Sequence, residues 1–281
     1  MKATLFFCVL MVVVLAVLPA SAQLILYDDF QTKLIHPDKW IGRGSSDTGV
    51  NSLEHGRLIL VDPIFGLKWL DIFNRSYAAE SSDTGRSSAF NRLQFIDGTG
   101  VTEIVAAVMV RKVQATTCST NTAATSPQAR IGGMFFNTGT ATPGDQTNDV
   151  FAFISVGRPS DSTKASGVLD VSGVVAICSD ATCSTNVQIG TVGLGSALLN
   201  LPVKLRIAWD QANNRFVFQR GKAPEEYVNY TETVGGPPGT GNGDGNKRME
   251  VYHLIPNCTG IPRPMSFIDA YFDNVKIYQI P

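Results

Sequence analysis

The stretch Val203-Lys204-Leu205-Arg206-Ile207-Ala208-Trp209 decides the fold class. Val203, Leu205, Ile207 and Trp209 share one parity, and Lys204 and Arg206 share the other. Side chains of an extended chain alternate between faces, so this is a strand with one side on a core and one side in water. Asp210-Gln211-Ala212-Asn213-Asn214 then supplies a turn into Arg215–Arg220, which makes a hairpin. The same reading applied outward gives strands at Leu24–Phe30, Arg57–Val61, Val101–Val113, Ala129–Phe136, Val150–Val156, Val168–Ile177, Val187–Val192, Met249–Ile255 and Ile268–Ile280. Helical periodicity is almost absent. About a dozen strands separated by short turn signals predict an all-β fold: a two-sheet antiparallel β-sandwich. Runs such as Val101–Val113 are apolar on both faces, as expected of strands between a core and a covered concave face.

The chain begins with Met1-Lys2, an apolar run from Ala3 to Leu18, and Pro19-Ala20-Ser21-Ala22. A charged start, a short apolar stretch and a small-x-small ending make residues 1–22 a cleavable signal peptide, leaving residues 23–281 as one domain. The run is shorter than the ~20 apolar residues that span a bilayer, and no later stretch is apolar enough to do so. Export to the periplasm or the extracellular space is therefore expected. Without Lys2 the chain carries 22 basic and 24 acidic residues, and charged residues are 17% of the full sequence. No basic stripe is present to neutralise phosphates, which argues against nucleic acid.

Four cysteines follow the signal segment. Cys178 and Cys183 bracket Ser-Asp-Ala-Thr between two strand-like runs, and so can face each other across a hairpin. Cys118 is then left to Cys258. An even count in an exported chain favours disulfides, and the scattered His36, His55 and His253 offer no zinc spacing. The final strand changes parity: Ile268, Ala270 and Phe272 share one face, Val275 and Ile277 the other. A β-bulge at Asp273-Asn274 would account for the switch and re-aim Asp273. The segment Gly235–Asn246 reads as a loop.

The two ends of the mature chain resemble concanavalin A-like lectin/glucanase jelly rolls. The similarity lies in Tyr27-Asp28-Asp29-Phe30 followed by His36-Pro37-Asp38-Lys39-Trp40, in Gly56-Arg57-Leu58-Ile59-Leu60, and in Ala270–Gln279. In style it is nearest to laminin-G-like domains and family 16 glycoside hydrolases. The resemblance implies a structural calcium ion held by the Asp273 carboxylate and the Gly56 carbonyl, with the Asp28-Asp29 region beside them; calcium favours such hard oxygen donors. It also implies a catalytic Glu-x-Asp-x-x-Glu strand, which this chain lacks. The most similar strand, Asn148–Ser155, carries one acid. Without paired carboxylates glycoside hydrolysis has no acid/base machinery, so a non-catalytic module is expected. The expected ligand is a glycan or cell-surface polymer, with Trp69, Tyr252, Glu250 and Tyr227 as candidate contacts, since aromatic faces and polar partners recognise sugars. The alternatives are a structural or interaction protein of the envelope or matrix, and a diverged glycoside hydrolase or lyase.

Overall fold

The structure, a computed structural model, describes residues 24–48, 51–63, 66–239 and 247–279. Residues 1–22, expected from the sequence to be a signal peptide, and residues 240–246 of the glycine-rich loop lie outside them. Fifteen strands are found among the described residues: β1 (Ile25–Asp28), β2 (Trp40–Thr48), β3 (Asn51–Val61), β4 (Lys68–Tyr77), β5 (Arg86–Phe95), β6 (Val101–Ala115), β7 (Ser126–Asn137), β8 (Asp149–Gly157), β9 (Val168–Cys178), β10 (Asn186–Leu198), β11 (Val203–Asp210), β12 (Arg215–Arg220), β13 (Glu226–Asn229), β14 (Lys247–Pro256) and β15 (Met265–Gln279). They form the expected two-sheet antiparallel sandwich. The first sheet runs β13-β12-β11-β6-β15-β4-β3, with β1 paired to β15; the second runs β10-β9-β8-β7-β14-β5-β2. Among the described residues no helix is long and apolar enough to cross a membrane.

The alternation that identified β11 works as read. Leu205 and Ile207 are fully buried, with Val203 and Trp209 packed at the edge of the core. Arg206 points outward to Glu103 and Glu225. Each such buried aliphatic side chain is worth about 1.5–3 kcal/mol relative to exposure. The facing layer comes from Ala129 and Ile131 of β7, Val150, Ala152 and Ile154 of β8, and Met249 and Val251 of β14.

Four strands, β2, β4, β5 and β13, were not legible as strands. In β4, Leu70 and Ile72 face the core while Trp69 faces outward and is also buried, so alternation is masked. In β5 the inward positions include Asn91, whose amide donates to the backbone carbonyls of Gly56 and Phe73 and so ties one sheet to the other. The first strand is shorter than the sequence suggested. Phe30 takes a left-handed φ of 51°, and its N–H donates to Asp28 Oδ1, which ends the strand in an Asx turn.

The bulge in β15 is present. Asp273 pairs with Ala107 and Lys276 with Val105, leaving two residues opposite one. Asn274 absorbs the bend with a φ of 50°. Both disulfides form as read, Cys118–Cys258 with Cα atoms 5.9 Å apart and Cys178–Cys183 at 4.8 Å. The apolar second face of β6 is covered, but on the first sheet: Met109 packs there against Trp69 and Tyr271. The cleft described below lies on the other sheet, so β6 is not a cleft strand.

Candidate functional site

Strand β14 directs its side chains to two destinations. Met249, Val251, His253 and Ile255 point inward and are buried; Arg248, Glu250, Tyr252 and Leu254 point to the outer face of the second sheet. That outer face is a cleft of about 500 Å³ running over β5, β14, β7, β8, β9 and β10. Antiparallel register sets its floor in rows. One row reads Arg92, Glu250, Arg130, Ser155, Ser172 across five adjacent strands. The row beside it holds Phe90, Tyr252 and Gln128. On the other side lie Arg248, Gly132, Phe153 and Val174.

Glu250 organises this floor. Its Oε1 accepts from Arg130 Nε at 2.6 Å and from Arg248 Nε at 3.1 Å, while Oε2 has no hydrogen-bond partner among the described residues. Burial would raise its pKa, but Arg130, then Arg248 and Arg92, outweigh that and hold it at about 2. The arginines are fixed on aromatic faces. Arg130 lies 3.6 Å from the Tyr252 ring centroid and 4.1 Å from that of Phe153. Arg248 lies over Phe153 at 4.8 Å and Arg92 over Phe90 at 4.3 Å. Gly132 permits the Arg248–Phe153 contact. Its φ of 148° and the 2.1 Å that would separate a Cβ from the Ala152 carbonyl leave room only for glycine, so no side chain intervenes.

The short disulfide loop forms the rim. Thr182, Cys183 and Ser184 line the cleft. Asp180 accepts from the backbone and hydroxyl groups of Thr182, Ser184 and Thr185, and these bonds lower its pKa. The sequence showed this loop only as a hairpin closure; its Asp-x-Thr-x-Ser-Thr pattern is the signal for the carboxylate hub.

Of the four glycan candidates, the structure brings two together, Glu250 and Tyr252. Trp69 lies on the outer face of the first sheet, 3% exposed, in contact with Met109 and Tyr271. Near it Asp71 is pushed up to about 8 by burial and by Asp269. Tyr227 is exposed on β13 at the edge of that same sheet, beneath Arg215 and donating to Glu225 Oε2 at 3.0 Å. The lone acid of the Asn148–Ser155 strand, Asp149, is also elsewhere. It is fully buried and accepts from Asn137 Nδ2 and Gly239 N, which anchors a loop. Among the described residues lining the cleft, Glu250 is the single carboxylate.

The calcium ligands read from the sequence do not assemble as a set. Gly56 and Asp269 both pair with Phe73, so Asp273 lies four residues further along β15, offset by about 13 Å in the strand direction and by two strands sideways. The Gly56 carbonyl instead accepts from Asn91. Asp28 is committed to Phe30 N and to Trp40 Nε1, at 2.9 and 2.7 Å. Asp273 keeps a buried Oδ1 without a partner; burial, with smaller contributions from Asp29 and Asp28, raises its pKa to about 6. Among the described residues, the one cluster of three ligand-type side chains is Asp83 with Cys118 and Cys258, whose sulfurs are joined to each other.

Neither the family models nor the curated proteins compared with the chain give a match. Solved structures with a similar arrangement include the carbohydrate esterase vb_24B_21 of the Shiga toxin-encoding bacteriophage phi24B (12% identity, 82% of this chain and 91% of that one, TM-score 0.32). Others are the alginate lyase of Klebsiella pneumoniae (11%, 79% and 84%, 0.38) and an endo-acting O-glycanase of the human gut microbiota (10%, 92% and 92%, 0.37).

Proposed function

We propose that the protein is an exported, non-catalytic binding module of concanavalin A-like architecture that holds a glycan across the outer face of the second sheet. The observation that carries this reading is the row structure of the cleft floor. Half-buried aromatic rings of Phe90, Phe151 and Tyr252 stand beside Gln128, Ser155 and Ser172 on rigid adjacent strands. Sugar rings present C–H faces that pack on aromatics and hydroxyls that exchange hydrogen bonds with amides and hydroxyls, so both halves of recognition are in place. A catalytic reading lacks parts. Glycoside hydrolysis uses two carboxyl groups, one of them protonated, whereas the described residues lining the cleft include one carboxylate, held ionised between arginines. Two disulfides suit an oxidising compartment, in line with the signal segment.

The test is retention of the mature chain on a panel of insoluble or gel-embedded polysaccharides, repeated with Tyr252→Ala. Retention of the native chain, lost in a folded Tyr252→Ala variant, supports the reading. Undiminished retention by the variant moves the site off this face.

A further inference from the structure

We propose that the cleft selects acidic polymers, glycans whose sugars carry carboxylate or sulfate groups. This rests on the glycan-binding reading above and names its ligand class. The whole chain is near neutral, with a formal net charge of −1. The cleft departs from that balance: among the described residues lining it, Arg86, Arg130 and Arg248 stand with Glu250 as the single carboxylate. Excess positive charge gathered in a concave, low-dielectric groove focuses field on whatever enters it.

The geometry shows what these arginines can still bind. Glu250 engages Arg130 and Arg248 through their Nε atoms. Among the described residues their terminal nitrogens have no hydrogen-bond acceptor, so each retains part of its donor fork. Arg86, exposed at one end of the groove, makes no side-chain hydrogen bond or ion pair with any described residue. A guanidinium fork matches a carboxylate or sulfate with two parallel N–H···O bonds. The arginines are also pre-positioned. Arg130 is held between Tyr252 and Phe153, and Arg248 is held on Phe153, so little side-chain freedom remains to be lost on binding. Glu250 thus has a positioning role. It aligns two arginines that would otherwise repel, and its single charge leaves the floor net positive.

Three soluble polymer classes, a polyuronate, a sulfated galactan and a neutral β-glucan, distinguish the outcomes by affinity electrophoresis. The native chain should be retarded by a uronate or a sulfated polymer, less so at raised salt, and more strongly than by the neutral one. Arg248→Gln and Arg86→Ala should each weaken the acidic interaction about tenfold or more. Arg86 is exposed, so its variant tests the idea without risk to the fold. Retention by either acidic arm supports the proposal, and the arm that retains identifies the anion. Equal retardation by the neutral polymer, unaltered in both variants, overturns acid selection and leaves glycan binding standing. Retardation by none of the three overturns both.

Discussion

Replacing Glu250 with glutamine tests the electrostatic design of the cleft floor. The side chain is 1% exposed and faces Arg130 and Arg248 directly. Its pKa falls from 4.5 to about 2, which at about 1.4 kcal/mol per pH unit makes the charged form worth about 3 kcal/mol to the fold. The sign follows from the depression. The contribution is fully present above pH 4.5, the unfolded value, and is lost as pH falls through about 2. Glutamine keeps the shape but removes the charge, leaving two near-buried guanidinium groups uncompensated; removing one partner of a buried pair costs about 3–5 kcal/mol. For a chain of this size that lowers Tm by roughly 10 °C. Thermal unfolding followed by circular dichroism at pH 7 and at pH 2.5 provides the assay. A large difference between native and Glu250→Gln at pH 7 that narrows in acid is expected. A variant within about 2 °C of native at pH 7, or a difference undiminished by acid, would refute the reasoning.

Other consequences separate the two sheets and the two disulfides. Trp69→Ala should cost about 3–5 kcal/mol by hollowing the Trp69–Met109–Tyr271 cluster, yet leave glycan retention intact below its unfolding temperature, the reverse of Tyr252→Ala. Removing Cys118–Cys258, which closes 140 residues, should lower stability by up to about 5 kcal/mol in the chain-entropy picture; removing Cys178–Cys183, which closes 5, by about 2. Denaturant titration of the two double-serine variants gives the order. Asp273 is raised to about 6, so it contributes stability only while protonated, and about 3 kcal/mol is lost as pH climbs from about 4 through 6. Asp273→Asn should accordingly raise Tm at pH 7.5 and not at pH 4. If Asp273 instead holds calcium, added calcium chloride will raise the native Tm and leave the variant unmoved.

How far the sequence could be read depended on how each strand is used. β11 was legible because one face is wet: Lys204 and Arg206 alternate with Leu205 and Ile207. β4 was opaque because Trp69, Leu70, Asp71 and Ile72 are all buried, on opposite faces. The bulge was visible as a parity change between Phe272 and Val275, since a core on one side forces the parity. The disulfides followed from counting. Glu250 and Tyr252 were identifiable as a strand pair of like parity. Their partners were not, because Arg92 and Arg130 meet Glu250 only through the order β5-β14-β7, which pairs residues more than 100 positions apart. Trp69 looked equivalent to Tyr252 for the same reason: residue type does not reveal which sheet, or which side of it, a strand occupies. The calcium set drew its residues from β3, the β1 end and β15, and only register shows that Gly56 lies four residues from the level of Asp273.

The central claim is that ligand lies across the second sheet. A crystal of the mature chain soaked with an oligosaccharide prepared from the best-retained polymer tests it most directly. Sugar density is expected over β14, β7 and β8, within hydrogen-bond reach of Arg248 and against Tyr252. Density seated on the first sheet, around Trp69 and Tyr271 or beside Tyr227, would contradict it.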